Sequence, residues 1–281
     1  MSPIEQSIKR KIEAIGTPLK DWDINIYRGV LTGYNDAFII STEKRDRILA
    51  NCQTEEERQR TAELIRPILR GRDIKRYGYE WAGLYLIATF PSRHYDIEMF
   101  PAVKAHLLSF GIKRLEQTGK THIVNEEKVK ARKKTNNKWF ETQDSISYGE
   151  DFNKPKIIWK RVGSILRFSY NDDGALGLDS TCFATGENIE FICCVLNSAM
   201  GRFLLKDAPK TGTGDLLISV QAVEPIKVPI ITKEQNSIFE DSLKELTHYS
   251  STQKEKEINY KVFELYNLSH DEQQYIESNF I

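Results

Sequence analysis

The hydrophobic period of this chain changes twice along its length, and no all-helical or all-β fold satisfies such a pattern. Near the start, Ile4, Ile8, Ile12 and Ile15 recur at helical spacing. Next, Ile24 and Ile26 alternate with Asp23 and Asn25, the two-residue period of a strand. Towards the end, Ile258, Val262 and Leu265 return to helical spacing. Helices at both ends of a strand-rich middle predict an α+β fold, a mixed β-sheet with flanking helices and a helical C-terminal tail.

Local signals place the elements. Gly16-Thr17-Pro18 ends the first helix, and the turn Thr32-Gly33-Tyr34-Asn35 leads into an apolar strand from Ala37 to Ile40. At that turn, Gly33 and Asn35 both tolerate positive φ. Thr54 with Glu57, Thr232 with Gln235, and Ser269 with Glu272 have the spacing of capping boxes, in which side chains satisfy orphan backbone donors at a helix start. The helix opened by Thr54 should stop near Ile65, because Pro67 disfavours helical geometry at Arg66. Leu84 to Phe90 reads as a buried strand and Phe100 to Leu108 as a short helix. Residues 113–138 are polar and read as a mobile insertion. Lys156–Trp159 and Ile165–Tyr170 read as paired strands around Arg161-Val162-Gly163-Ser164, with another strand near Phe183. Residues 188–205 form an apolar helix interrupted near Ser198-Ala199-Met200-Gly201. Leu216–Val220 and Ile226–Val228 return to strand.

Bulk properties narrow the class. With 40% hydrophobic and 28% charged residues, the 281-residue chain has the composition of a globular protein. No apolar run approaches the roughly 20 residues needed to span a bilayer, so no membrane is expected as a partner. Met1-Ser2-Pro3 shows no signal peptide and is consistent with a cut-out fragment. Cys52, Cys182, Cys193 and Cys194 lack metal-ligand spacing and read as buried free thiols of a reducing, cytoplasmic compartment. Forty basic residues balance forty acidic ones, a poor prior for a non-specific DNA binder. The charges are unevenly spread, however. Basic residues dominate from Lys104 to Arg167 and acidic ones from Thr232 onward, which allows one basic face.

Chemical motifs are largely missing. Glu126-Glu127-Lys128 holds part of a metal-dependent nuclease pattern but no upstream Pro-Asp partner, and a solvated charged face accounts for it better. Lys210-Thr211-Gly212-Thr213-Gly214-Asp215 has the wrong residue order for a Walker loop. It reads either as a loop able to approach a ligand backbone or as a plain connection. The five histidines show no ligand spacing, so no metal site is expected. More informative are the basic clusters: Arg70, Arg72, Lys75 and Arg76; Lys128, Lys130, Arg132, Lys133, Lys134 and Lys138 around Asn136 and Asn137; and Lys160-Arg161 in a turn. Such clusters are either solvated surface or phosphate contacts. Arg and Asn can in addition read guanine and adenine edges bidentately.

Three segments tip this balance. They are Trp22 to Ile40, containing Tyr27-Arg28-Gly29-Val30-Leu31-Thr32-Gly33-Tyr34-Asn35; Ile68-Leu69-Arg70-Gly71-Arg72-Asp73-Ile74-Lys75-Arg76-Tyr77; and Val195-Leu196-Asn197-Ser198. In this order they resemble the TaqI-like C-terminal specificity domain found behind the catalytic domain of adenine-specific DNA methyltransferases and type II restriction–modification enzymes. The resemblance implies a non-catalytic module that recognises a sequence in double-stranded DNA, partnered by the methyltransferase domain of a parent enzyme. It divides the chain into a helical lead-in from that domain (1–20), a target-recognition domain (21–231) and a helical C-terminal segment (232–281). Glu264-Leu265-Tyr266-Asn267-Leu268 in the last segment is similar to the closing stretch of many specificity proteins. The methyltransferase motif Asn/Asp-Pro-Pro-Tyr/Phe is missing from the sequence, so S-adenosylmethionine is expected only in the parent's catalytic domain and no cofactor in this chain. DNA contacts are expected from Asn35, Arg70, Arg72, Lys75, Arg76, Lys130, Arg132, Lys133, Lys134, Asn136, Asn137, Lys138, Lys160, Arg161, Lys210 and Thr211, and the 113–138 insertion should face DNA. Two other readings stay open: a degenerate metal-dependent endonuclease, and a protein-interaction module driven by the tail.

Overall fold

A computed structural model describes residues 2–280. Two four-stranded sheets organise the chain, and the α+β class holds. The first sheet runs Phe168–Asn171, Lys156–Lys160, Thr181–Gly186, Ile24–Arg28, antiparallel throughout. The second runs Leu176–Gly177, Ile65–Leu69, Leu84–Ile87, Ile39–Ser41, and its first pair is parallel.

The first sheet separates two apolar cores, which explains the unbroken apolar run Ile157-Ile158-Trp159. Side chains alternate across a strand. Ile157, Trp159, Cys182 and Ala184 enter one core with the helix Ile189–Asn197, the first helix and the tail helices. Ile158 and Phe183 enter the other, against the second sheet and the helix Pro101–Leu108. The first core therefore draws on residues 1–20, 21–231 and 232–281 alike. Ile8 and Ile12 of the helix Pro3–Ile15 are buried in it, and Gly16–Pro18 leaves that helix to pair with Lys227–Pro229.

Two of the three resemblance-bearing segments meet at Phe168. Asn197 is buried, and its amide accepts from Phe168 N (3.0 Å) and donates to Phe168 O (2.7 Å), copying a strand neighbour. Tyr77 N donates to the same carbonyl. The apolar helix breaks at Ser198, whose hydroxyl accepts from Gly201 N and starts the helix Ala199–Leu204. The four cysteines are free and buried, and burial pushes the Cys193 and Cys194 thiols up.

Several local expectations need correction. Ala37–Ile40 is not one strand: Asn35–Phe38 makes a helical turn and only Ile39–Ser41 is extended. Thr32 causes this, because its hydroxyl accepts from Tyr34 N and donates to Asn35 Oδ1. Gly33 takes positive φ (+78°), whereas Asn35 is helical. The helix Glu55–Leu64 ends where Pro67 requires, but its capping box is half formed. Thr54 accepts from Glu57 N, while the Glu57 carboxylate accepts from Gln53 N and from Ala102 N on the neighbouring helix. Residues 113–138 contain the end of a helix, Ile112–Leu115, and a hairpin of Thr121–Val124 with Glu127–Lys130. Of Leu216–Val220 only Leu216–Leu217 is strand, and Val220–Val223 is a helical turn. The tail is three helices, Lys233–His248, Thr252–Leu265 and His270–Phe280.

Candidate nucleic-acid interface

Two basic segments far apart in sequence converge beside the end of the strand Lys156–Lys160. Arg70 caps a short turn, with its backbone amide and its guanidinium both donating to Asp73. Gly71 N donates to Ser180 Oγ (3.0 Å), and Arg161 N donates to Ser180 O (3.0 Å), so one serine holds both segments. Gly71 lets the backbone come this close: a Cβ there would stand 2.9 Å from Lys160 Cγ and 3.1 Å from Ser180 O. Val162–Gly163 then pairs with Leu216–Leu217, which brings the Lys210–Asp215 loop alongside. The result is a groove of about 130 Å³ lined by Arg72, Lys160 and Arg167, by Gly71, Gly163 and Ser164, and by the aliphatic side chains of Ile74 and Ile165. Among the described residues these three cations have no carboxylate partner. Three unpaired cations around one groove suit an anion such as a phosphate oxygen.

Other expected contacts are committed elsewhere. Arg132 is the clearest correction. It is buried, and its guanidinium donates to the carbonyls of Leu115 (2.8 Å), Thr32, Glu141 and Trp139 (2.7 Å each). Its removal from water pushes its pKa down to about 10. An arginine spent on four carbonyls cannot read a base. Arg76 ties the tail to the sheet through Glu255 (2.6 Å) and Asn197 O (2.8 Å), and its side chain is half-buried. Arg70 is paired with Asp73 and Lys75 with Glu80 (3.3 Å). Asn137 donates to Gln143 O, and the Asn35 carbonyl accepts from Thr32. Lys130, Lys133, Lys134, Asn136, Lys138, Lys160 and Lys210 are exposed, while Arg161 and Thr211 are half-buried.

Asp144 is pushed up by burial, an effect opposed by the charges of Arg28 and, more weakly, Lys133. Arg28 lies 3.5 Å from Asp179, and the next residue is Ser180. Arg167 and Arg28 escaped the sequence reading because each stands alone among apolar or neutral neighbours; only the fold brings them beside the clusters. The Glu126-Glu127-Lys128 triplet sits at the hairpin tip, with Glu126 in the turn and Glu127 and Lys128 opening the second strand, all three exposed.

This chain matches the TaqI-like C-terminal specificity domain over residues 66–224, more than half its length, and belongs to that family. Two of the three resemblance-bearing segments lie in that span, and Trp22–Ile40 precedes it. No curated protein matches the chain. Among solved structures it is similar to the type IIG restriction endonuclease BpuSI (13% identity, TM-score 0.55, 99% of this chain and 32% of that one). It is also similar to the type IIL restriction–modification enzyme MmeI, solved in complex with DNA (10% identity, TM-score 0.58, 94% of this chain and 37% of that one). At these identities the likeness establishes the fold, and the chain spans about a third of either protein.

Proposed function

We propose that this chain reads a short sequence in double-stranded DNA as the specificity module of a restriction–modification or adenine-methyltransferase enzyme. The carrying observation is the convergence of Arg72, Lys160 and Arg167, unpaired with carboxylates, around one small groove. Arg161 and the Lys210-Thr211 loop flank it, and Lys130, Lys133, Lys134, Asn136 and Lys138 extend the basic surface. The groove cations hold phosphates and fix the register, while loop side chains meet base edges and fix the sequence. Base flipping, S-adenosylmethionine binding and any strand cleavage belong to other domains of the parent enzyme. Four buried free thiols support a reducing, cytoplasmic setting.

The test is a titration at low salt against a randomised duplex pool, with sequencing of the bound fraction. A short motif should be enriched. Arg72→Ala with Lys160→Ala should weaken binding on all sequences alike and reduce the slope of log affinity against log salt by about 2. Uniform retention without a motif would leave phosphate binding alone, and an unchanged salt slope would remove the groove from the interface. A stable dimer without DNA affinity would favour the interaction module instead.

A further inference from the structure

In the hairpin, Ile123 stands opposite Lys128 and Thr121 opposite Lys130. Strand alternation puts these four side chains on one face and His122, Val124, Glu127 and Val129 on the other. The second face is covered at its base only: His122 and Val129 are half-buried, with His122 Nε2 3.5 Å from the Glu116 carboxylate, while Val124 and Glu127 near the tip are exposed. The first face is uncovered, and Ile123 is 77% exposed, the most exposed aliphatic side chain among the described residues. The hairpin's base is firmly held. Arg114 donates to Lys130 O (2.6 Å) while stacking 3.9 Å over the Tyr34 ring, and Ala131 N donates to Lys120 O.

A well-anchored ribbon thus presents one aliphatic group between Lys128 and Lys130. Lysines on an exposed ribbon oppose pairing with another protein strand and suit a polyanion. A two-stranded ribbon fits the major groove of B-DNA, where the apolar group on a base-pair edge is the thymine C5-methyl. Glu126 and Glu127 would repel phosphates at the tip, leaving the outer face as the side that meets DNA. We infer that this ribbon lies in the major groove, with Lys128 and Lys130 towards phosphates and Ile123 packed on a thymine methyl. Ile123 is then a specificity-determining residue. The inference rests on the DNA-recognition reading above.

The experiment uses the full chain and two randomised duplex pools that differ only in carrying thymidine or deoxyuridine, hence only in the C5-methyl. The wild type should enrich a motif containing a T·A pair and bind its deoxyuridine version roughly three- to tenfold more weakly, the scale of losing one buried methyl contact. Ile123→Ala, a change at an exposed position, should bind both versions equally and keep the rest of the motif. Equal wild-type binding to both versions, or a methyl preference that survives in Ile123→Ala, would overturn the ribbon contact and leave DNA recognition standing. Failure of the wild type to retain either pool at low salt would overturn both.

Discussion

Lys156 carries an ammonium group into the interior at the start of a strand buried on both faces. It is fully buried, and Nζ donates to Phe152 O (2.8 Å) and Asn171 Oδ1 (2.6 Å). Burial pushes its pKa down to about 8 from 10.5, with the Asp173 charge opposing. The folded state thus releases this proton more readily than the unfolded state. Between about pH 8 and 10.5 the unfolded chain holds more protons, so stability from this site rises with pH across that window and is flat below it. Relative to Lys156→Met, the wild type should gain on the order of 3 kcal/mol between pH 7 and 10 in denaturant titrations; a pH-independent difference would mean that the buried amine does not titrate there. Nothing in the sequence marked Lys156 or Arg132 as buried. Each sits among residues of the same charge or in a strand edge pattern, and burial depends on carbonyls supplied by distant segments.

Helix starts are written locally, and hairpins of this kind are not. The boxes at Thr232 and Ser269 form as their spacing dictates, because donor and acceptor lie three residues apart on the same chain. At Thr54 the tertiary contact wins, since Glu57 gains a second helix's amide at Ala102. The hairpin escaped notice because its strands alternate no clear apolar face and its turn lacks glycine. Asn125 and Glu126 both take positive φ, +51° and +69°. Two such residues match the right-handed twist of a hairpin, yet a glutamate there bears a penalty of about 1–2 kcal/mol. Glu126→Gly should therefore stabilise the hairpin by up to about 1 kcal/mol after the added chain entropy of glycine. Hydrogen exchange at the Val124 and Glu127 amides would report it as slower exchange; faster exchange would refute the turn geometry.

At the scale of the molecule, the tail is part of the core and not an appendage. Phe239, Leu243, Leu246, Ile258, Val262, Phe263 and Ile276 are buried in the core shared with the first sheet. Burial of such side chains stabilises by about 1.5–3 kcal/mol each, or roughly 10–20 kcal/mol together, comparable with the whole stability of a domain. A chain ended after Ile231 should lose cooperative unfolding and its near-ultraviolet signal. A truncated chain with a sharp thermal transition would show that residues 232–281 fold separately. Arg76 points the same way, since its guanidinium joins a resemblance-bearing segment to Glu255 of the tail.

Composition, period and spacing alone determined the α+β class, the helix starts, the break at Ser198 and the buried thiols, because each is encoded within a few residues or by simple alternation, and the order of three specific segments carried the family resemblance. Which cations face solvent was decided only by the tertiary structure. Arg72 and Arg132 read alike in sequence; Ser180 and Gly71 hold one at an open groove, and four carbonyls from separate segments enclose the other. A charge shows its type in the sequence, but its partners are chosen by long-range packing.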